Sequence, residues 1–227
     1  MNEEFQHLAG LDALKAWLAK YLPLFQGNDP LAPRSIVLTG LPGTGKRSVA
    51  KAIAASIGKP LVRFVPEQQP DPSAVLMVED LDREHLPLIR RLADHDEPMP
   101  FVIALTERPW ELPSGLLRAD AVEAVWHLDL PDMKERAETW GLAATRHGHD
   151  QSGFDSVILA RASHEFTPAE IHAAYARAAR ERHPRPPKER HLFDALIELQ
   201  PLVDARASDM LRLAHWTHRR STSARGG

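Results

Sequence analysis

A glycine-rich loop is the stretch of this chain whose residues are best suited to chemistry. Residues 40–46 read GLPGTGK, with a β-branched run before them at 35–39 and a stretch of helical composition after them at 47–54. In such a strand–loop–helix context, backbone N–H groups can curl inward around phosphate oxygens. The helix N-terminus adds partial positive charge, and Lys46 can reach the β- and γ-phosphates. The pattern therefore predicts a P-loop; the alternative is a glycine-rich turn without a ligand.

The residues predicted to hold phosphates belong to this loop and to the turn that follows it. They are Gly40, Gly43, Thr44, Gly45, Lys46, Arg47 and Ser48. Arg47 departs from the motif, because that position is normally a Ser or Thr whose hydroxyl binds Mg²⁺. Ser48 comes one residue later, turned by roughly 100° on a helix. Two interpretations of Arg47 follow: its guanidinium replaces the charge of the metal, or it points to solvent.

Apolar, β-branched runs alternate with helical patterns over the first 130 residues. Five runs are predicted as strands: 35–39, 61–65, 74–78, 101–106 and 124–128. The helices predicted around them are 8–22, the one after the P-loop, 84–94 and 114–120. This alternation predicts an α/β domain over 1–130, with a five-stranded parallel sheet flanked by helices.

Only helices are predicted beyond residue 131. Their ranges are 132–147, 154–163, 167–183, 188–200 and 205–218. We therefore expect an all-helical domain over 131–220, followed by a disordered tail over 221–227.

Composition limits the classes of protein to consider. The chain has 227 residues and no cysteine, which excludes disulfides, thiolate metal sites and cysteine nucleophiles. No apolar run approaches the length of a membrane span, and the first residues lack a signal-peptide pattern, so we expect a cytoplasmic protein without a membrane partner. Basic residues concentrate near the end of the chain. They are interpreted as a solvated helical surface, with binding to nucleic acid or an acidic protein as the alternative.

With these motifs in place, the layout resembles the AAA+ ATPases, which join a P-loop domain to a small helical lid. The resemblance covers about residues 7–183 and points, within the family, to AAA proteins of cyanobacteria and chloroplasts. It is carried by several short matches. In the P-loop domain, GLPGTGK is similar to GPPGTGK, VLMVED at 75–80 is similar to the Walker B strand, and ALTERP at 104–109 is similar to sensor 1. LLR at 116–118 is similar to the segment before the arginine finger, and FTPAEI at 166–171 is similar to a turn of the lid. LAGLDALK at 8–15 is similar to a segment beside the adenine.

The resemblance implies roles for individual residues. It assigns Glu79 to the metal and Asp80 to the attacking water, while Glu107 occupies the sensor position. Arg118 corresponds to the arginine that precedes the finger, and Leu8 with Ala9 flanks the adenine. The implied cofactor is ATP or ADP, with Mg²⁺ in question because of Arg47.

Several positions depart from the family pattern. The Walker B pair is reversed, so that Glu79 is a methylene longer at the metal position and Asp80 a methylene shorter at the base position. Glu107 stands where the family has Asn, and Ala121 where it has the finger arginine. Misplacing a catalytic group by about 1 Å can cost about 10²-fold in rate.

The segment before the Walker B strand is shortened. Where the family has a helix and an aromatic pore loop, only residues 66–73 remain, fewer than the dozen or so that a parallel crossover usually needs. Either 61–65 is not a parallel neighbour of 74–78, or the two pair in an unusual way. In both cases the sequence predicts no pore loop and no threading of a polypeptide.

Three functions are therefore compared. The first is an ATP-binding AAA+ protein with weak or uncertain hydrolysis. The second is a pseudo-ATPase that serves as a regulatory or interaction module. The third, a nucleic-acid binder using basic helices between residues 170 and 220, is not expected because no recognition motif supports it. The predicted partners are the nucleotide and either an unknown protein or further copies of this chain.

Overall fold

A parallel sheet with helices packed against it forms the larger part of the structure. The computed structural model describes residues 5, 8–66, 68–85, 87, 88, 91, 100–112 and 122–226. The strands are β1 (Ser35–Gly40), β2 (Leu61–Arg63), β3 (Val75–Val78), β4 (Phe101–Thr106), β5 (Ala124–Leu128) and β6 (Thr222–Ser223), in the spatial order β2-β3-β4-β1-β5-β6. The predicted α/β class with a parallel sheet is confirmed.

The central strand β1 is buried along its whole length. It pairs in parallel with β4, where Thr39 lies opposite Thr106, and with β5, where Gly40 lies opposite Leu128. The carboxyl ends of the three strands therefore meet at one edge of the sheet, and the loop after Gly40 starts from that edge.

Helices cover the sheet because its side chains alternate between two apolar faces. Ile36 and Leu38 face one cluster, which also contains side chains of α1 (Asp12–Gln26) and α2 (Lys46–Ile57). Val37 faces the opposite cluster with residues of β3 and β4. A strand buried on both faces reads as a continuous apolar run, which is why the sequence predicted these strands well.

The secondary-structure elements between residues 133 and 220 are helices joined by loops. They are α3 (Met133–Arg146), α4 (Ser156–Ala162), α5 (Pro168–Arg182), α6 (Glu189–Ile197), α7 (Leu202–Ala205) and α8 (Ala207–Arg220). α3 to α6 share a core of their own around Trp140, Tyr175 and Leu192. α7 and α8 instead pack on Leu41 of the glycine loop through Val203 and Leu213. A domain boundary near residue 131 remains a prediction.

Residues 221–226 differ from the disordered tail that the sequence predicted. Thr222 and Ser223 pair in parallel with Trp126 and His127 of β5 and so add a sixth strand to the predicted five. Ala224 is buried in the same cluster as α1. This strand escaped prediction because two residues carry no periodic pattern, and its order comes from the strand beside it.

The first helix is displaced along the chain from its predicted range of 8–22. It begins at Asp12 because Leu11 adopts a left-handed conformation with φ 66°, and it continues through Pro23 to Gln26. The predicted helix over 84–94 lies largely outside the described residues; at its start, the described residues Arg83–His85 form a short 3₁₀ turn. The predicted helix over 114–120 lies wholly outside them.

The short connection between β2 and β3 pairs the two strands in parallel without a crossover helix. Leu61 lies opposite Val75 and Arg63 opposite Met77. The described residues between them, 64–66 and 68–74, contain no helix. Because β2 has only three residues, the chain has a short distance to cover from its end back to the start of β3. An extended connection of this many residues can cover that distance at about 3.3 Å per residue. Of the two predicted alternatives, parallel pairing by an unusual route is therefore the one observed.

Across the described residues, no helix is both long and apolar enough to cross a membrane.

Burial of α1 gives a direct test of the packing against the sheet. Leu14 is fully buried, and Leu14→Ala should lower the free energy of unfolding by about 2–5 kcal/mol, because it removes apolar contacts and leaves a cavity. Leu31 is 79% exposed and makes the matched control, for which we expect a change within about 0.5 kcal/mol. Urea unfolding of both variants measures the difference, and equal losses would contradict this packing.

Candidate functional site

The glycine loop links β1 to α2 in a conformation that two of its residues can adopt only as glycine. Gly43 has φ 82° and Gly45 has φ 99°, in the left-handed region that other residues avoid. A Cβ on Gly43 would also lie 2.7 Å from the hydroxyl oxygen of Thr167. Thr44 is buried and fixes the loop by donating its hydroxyl to the carbonyl of Leu41 at 2.9 Å. The loop therefore has the backbone that a phosphate cradle requires.

Lys46 lies folded against this loop. Its ammonium donates to the carbonyl oxygens of Gly40 at 2.8 Å and Leu41 at 2.9 Å, and it stands 3.7 Å from a carboxylate oxygen of Glu107. Burial lowers the pKa of Lys46 to about 8, although Glu107 and Asp80 oppose the shift. The side chain is thus a desolvated cation beside the loop, and a bound phosphate would be a better partner than two carbonyls.

The N-terminus of α5 closes over the loop from the helical side. Thr167 caps this helix by accepting from the backbone of Glu170, whose carboxylate accepts in turn from the backbone of Thr167. The backbone N–H of Ala169 donates to the carbonyl of Gly43 at 3.2 Å. The capping box therefore aligns the start of α5 with the phosphate-binding turn.

A cavity of about 780 Å³ lies between the loop, α3 and α5. One part of its wall is the glycine loop with Gly43, Gly45 and Ser48, and another is apolar, with Leu8, Leu11 and Ala224. Such a volume suits a nucleotide-sized ligand, and the two kinds of wall suit its charged and apolar ends. The predicted adenine-flanking residues Leu8 and Ala9 both line this cavity.

A second hollow of about 310 Å³ adjoins the first at the carboxyl edge of the sheet and shares Gly43, Gly45 and Ser48 with it. Its wall brings together predicted residues from three strand ends, namely Lys46, Arg47, Glu79, Asp80 and Glu107. The predicted phosphate-binding and catalytic residues within the described chain are therefore neighbours. Arg118 and Ala121 lie outside the described residues.

Glu79 is held by two arginines. The Nε of Arg47 donates to Oε1 at 2.5 Å, and the Nε of Arg63 lies 3.0 Å from Oε2. The Glu79 side chain is only 11% exposed, so both carboxylate oxygens are paired in a largely desolvated position. Charge-assisted pairs of this kind are stronger than neutral hydrogen bonds.

Asp80, beside Glu79, lies in a different environment. It is exposed and has φ 51°, an uncommon conformation for a residue other than glycine. The chain then returns to the sheet, where the N–H of Leu81 donates to the carbonyl of Leu105 at 2.9 Å.

The two positions that hold Mg²⁺ in the common motif offer no free oxygen to a magnesium ion. Mg²⁺ takes oxygen ligands, but Arg47 provides no oxygen at the usual hydroxyl position, and the arginines already occupy the oxygens of Glu79. Within the described ranges, no cluster of three His, Asp or Glu side chains could hold a metal ion. The glycine cradle and the cavity, in contrast, do fit the phosphates and body of a nucleotide.

Sequence reasoning missed several residues of this site. Arg63 could have been found, because a parallel β2 beside β3 places it close to the strand end that carries Glu79. Arg146 and His172 line the main cavity, and burial, with nearby Arg146 and His147, lowers the pKa of His172. Arg225 also lines it and gave no signal, because it falls in the segment predicted to be disordered.

Comparison with known proteins supports the family resemblance. No protein-family model matches the chain. The uncharacterized AAA domain-containing protein ycf46 of Trieres chinensis is 25% identical over 260 residues, covering 95% of this chain and 52% of the relative. Its namesake from Gracilaria tenuistipitata var. liui is 24% identical over 219 residues, covering 78% and 44%, and that from Pyropia yezoensis is 26% identical over 209 residues, covering 74% and 42%.

The chain therefore spans about half the length of the curated relatives it matches. These relatives confirm the resemblance to AAA proteins and the relation to chloroplast members that the sequence indicated.

The lowered pKa of Lys46 predicts how nucleotide affinity depends on pH. Phosphate binding favours the charged ammonium, so the Kd for ADP should be nearly constant near pH 7 and should rise above pH 8, approaching about tenfold per pH unit. In Lys46→Arg the guanidinium stays charged, and that variant should show no such rise. Calorimetric titration from about pH 7 to 9.5 measures both profiles; a flat wild-type profile would contradict the prediction.

Proposed function

We propose that this chain is an AAA-type nucleotide-binding module that holds ATP or ADP without requiring Mg²⁺ and hydrolyses ATP weakly or not at all. In this proposal the phosphates lie on the backbone from Gly43 to Ser48 and on Lys46, and the base and ribose occupy the main cavity. The observation that carries it is the pairing of both Glu79 oxygens with arginines.

The two arginines support binding without a metal. The guanidinium groups of Arg47 and Arg63 supply positive charge on both sides of Glu79, the residue that the family resemblance assigns to the metal. Of the two interpretations of Arg47, this contact favours charge replacement. The Arg47 side chain remains 66% exposed, so its guanidinium can also turn toward a phosphate while Arg63 keeps Glu79 neutralised.

The same contacts argue against efficient hydrolysis. Both carboxylate oxygens of Glu79 are already paired with guanidinium groups, and Asp80, at the other Walker B position, is exposed. Glu107 adds a negative charge 3.7 Å from Lys46, beside the expected position of the γ-phosphate. A negative charge there disfavours charge build-up on the transferred phosphoryl group.

The short connection between β2 and β3 supports a regulatory or interaction role rather than mechanical work on a polypeptide. The described residues between β2 and β3 form no helix, which supports the predicted absence of a pore loop. We therefore propose that nucleotide fixes the helical part against the sheet and so controls contact with a protein partner or with further copies of this chain. The alternative is a weak ATPase that uses Asp80 or Glu79 despite their geometry.

Binding and turnover measurements separate these two functions. We expect the affinity for ATP in EDTA to be within about threefold of the affinity in Mg²⁺. Lys46→Ala should abolish ATP binding under both conditions. Phosphate release from MgATP by the wild type should equal that of Lys46→Ala, because both oxygens of Glu79 are paired with arginines and Asp80 is exposed. Phosphate release by the wild type that Lys46→Ala abolishes would establish the ATPase alternative. An unchanged ATP affinity in Lys46→Ala would contradict the assignment of the binding site.

Arg47→Ser tests the charge replacement. It restores the hydroxyl that binds Mg²⁺ in the common motif and frees Glu79 from one partner. Binding of ATP in this variant should become at least about tenfold tighter with Mg²⁺ than with EDTA. Arg47→Lys keeps a cation at the same position and should remain independent of the metal. The charge-replacement model fails if both variants respond to Mg²⁺ as the wild type does.

A further inference from the structure

The segment from Ser221 to Gly226 returns from the helical region to the edge of the sheet beside the main cavity. Besides the β6 pairing, the N–H of Ala224 donates to the carbonyl of His127 at 3.0 Å, and the hydroxyl of Ser223 donates to a carboxylate oxygen of Asp129 at 2.9 Å. Backbone and side chains thus tie the segment to β5 and to the turn that leads into α3.

The segment also joins the first helix to the cavity wall. The N–H of Leu14 donates to the carbonyl of Ala224 at 3.1 Å, and Ala224 is 1% exposed. Ala224 belongs to the same apolar cluster as Leu14, against which Leu8 and Leu11 pack. Ala224, Leu8 and Leu11 also line the cavity, so the three together form its apolar wall.

Arg225 locks this arrangement through a bidentate ion pair with Glu135 of α3. Its Nε donates to Oε1 at 3.0 Å and its Nη2 to Oε2 at 2.5 Å, while Nη2 also donates to the carbonyl of Leu130 at 2.7 Å. Glu135 and Arg225 both line the cavity. The Glu135 side chain is 11% exposed, and removing one partner of a pair this buried leaves an uncompensated charge.

Glu135 is the point where three segments of the chain meet. Its Oε2 accepts from the backbone N–H of Asp132 in the capping box of α3. Its Oε1 lies so close to Gly10 that a Cβ there would be 1.9 Å away, and Gly10 has φ 65°. The carboxylate therefore sets the distance between the segment before α1, the turn into α3 and residues 222–226.

We infer that the segment 222–226 completes the base-side wall of the nucleotide cavity through Ala224 and Arg225, and that Arg225 is a positioning residue for the base and ribose. This inference rests on the proposed nucleotide binding. The glycine loop takes the phosphates, so the uncharged end of the ligand lies against the apolar wall that Ala224 completes. Arg225 acts through Glu135, since that ion pair holds the wall in place.

A comparison of two ligands isolates this role. ADP needs both the loop and the base-side wall, whereas inorganic tripolyphosphate needs only the loop. Arg225→Ala should weaken ADP binding at least about tenfold and leave tripolyphosphate binding within about twofold. A general loss of folding would move both affinities together, so the ratio of the two Kd values reports the wall alone.

Two further variants refine the comparison. Arg225→Lys keeps the charge but loses the planar fork, and it should weaken ADP binding by a smaller factor. Arg219→Ala removes the same charge from an exposed position on α8 and should change neither affinity. If Arg225→Ala melts too early to be assayed, Arg225→Lys takes its place, and an unchanged ADP affinity in Arg225→Lys then overturns the inference.

The outcomes separate this inference from the proposed function. A wild type that binds neither ADP nor tripolyphosphate overturns the proposed function and the inference together. A wild type that binds both, with Arg225→Ala equally unaffected or equally impaired toward both ligands, overturns only the role of Arg225. A selective loss of ADP binding supports both.

Discussion

Burial of the central strands on both faces is the constraint from which the rest of this structure follows. Every residue of β1 and β4 is buried, so neither strand can present a side chain for chemistry along its length. Reactive groups can appear only where the strands end, and parallel pairing brings those ends to one edge. The segments that pack on the two faces leave this edge open, and the glycine loop, the carboxylates and the cavity meet there.

Charge balance at that edge distinguishes this protein from the family it resembles. In an ordinary P-loop site a divalent ion holds the acidic strand end and the nucleotide together. Here the acidic strand end is already satisfied within the protein by side chains from α2 and β2. This pairing of Glu79 before any ligand arrives supports the proposed role of a component that responds to nucleotide without hydrolysing it efficiently.

Local and non-local features were predictable to very different degrees. The loop could be predicted because the backbone conformation of its glycines depends only on neighbouring residues in the chain. The strands β1 and β4 could be predicted because they are continuous apolar runs. Arg63 and Arg225 act through partners distant in the chain, so their roles depend on strand pairing that no local pattern encodes. The start of α1 was misjudged because Leu11 adopts a left-handed conformation that residues other than glycine rarely adopt.

The bond between Leu14 and Ala224 joins positions near opposite ends of the sequence as printed. Contacts of such large sequence separation form late in folding, because the loop between them must close first. During synthesis, β5 cannot pair with β6 until the helical residues and the segment after them have emerged from the ribosome. The last pairing to form in the sheet is therefore also the one that finishes the cavity, so folding intermediates that lack it would expose the edge of β5 and have an incomplete ligand site.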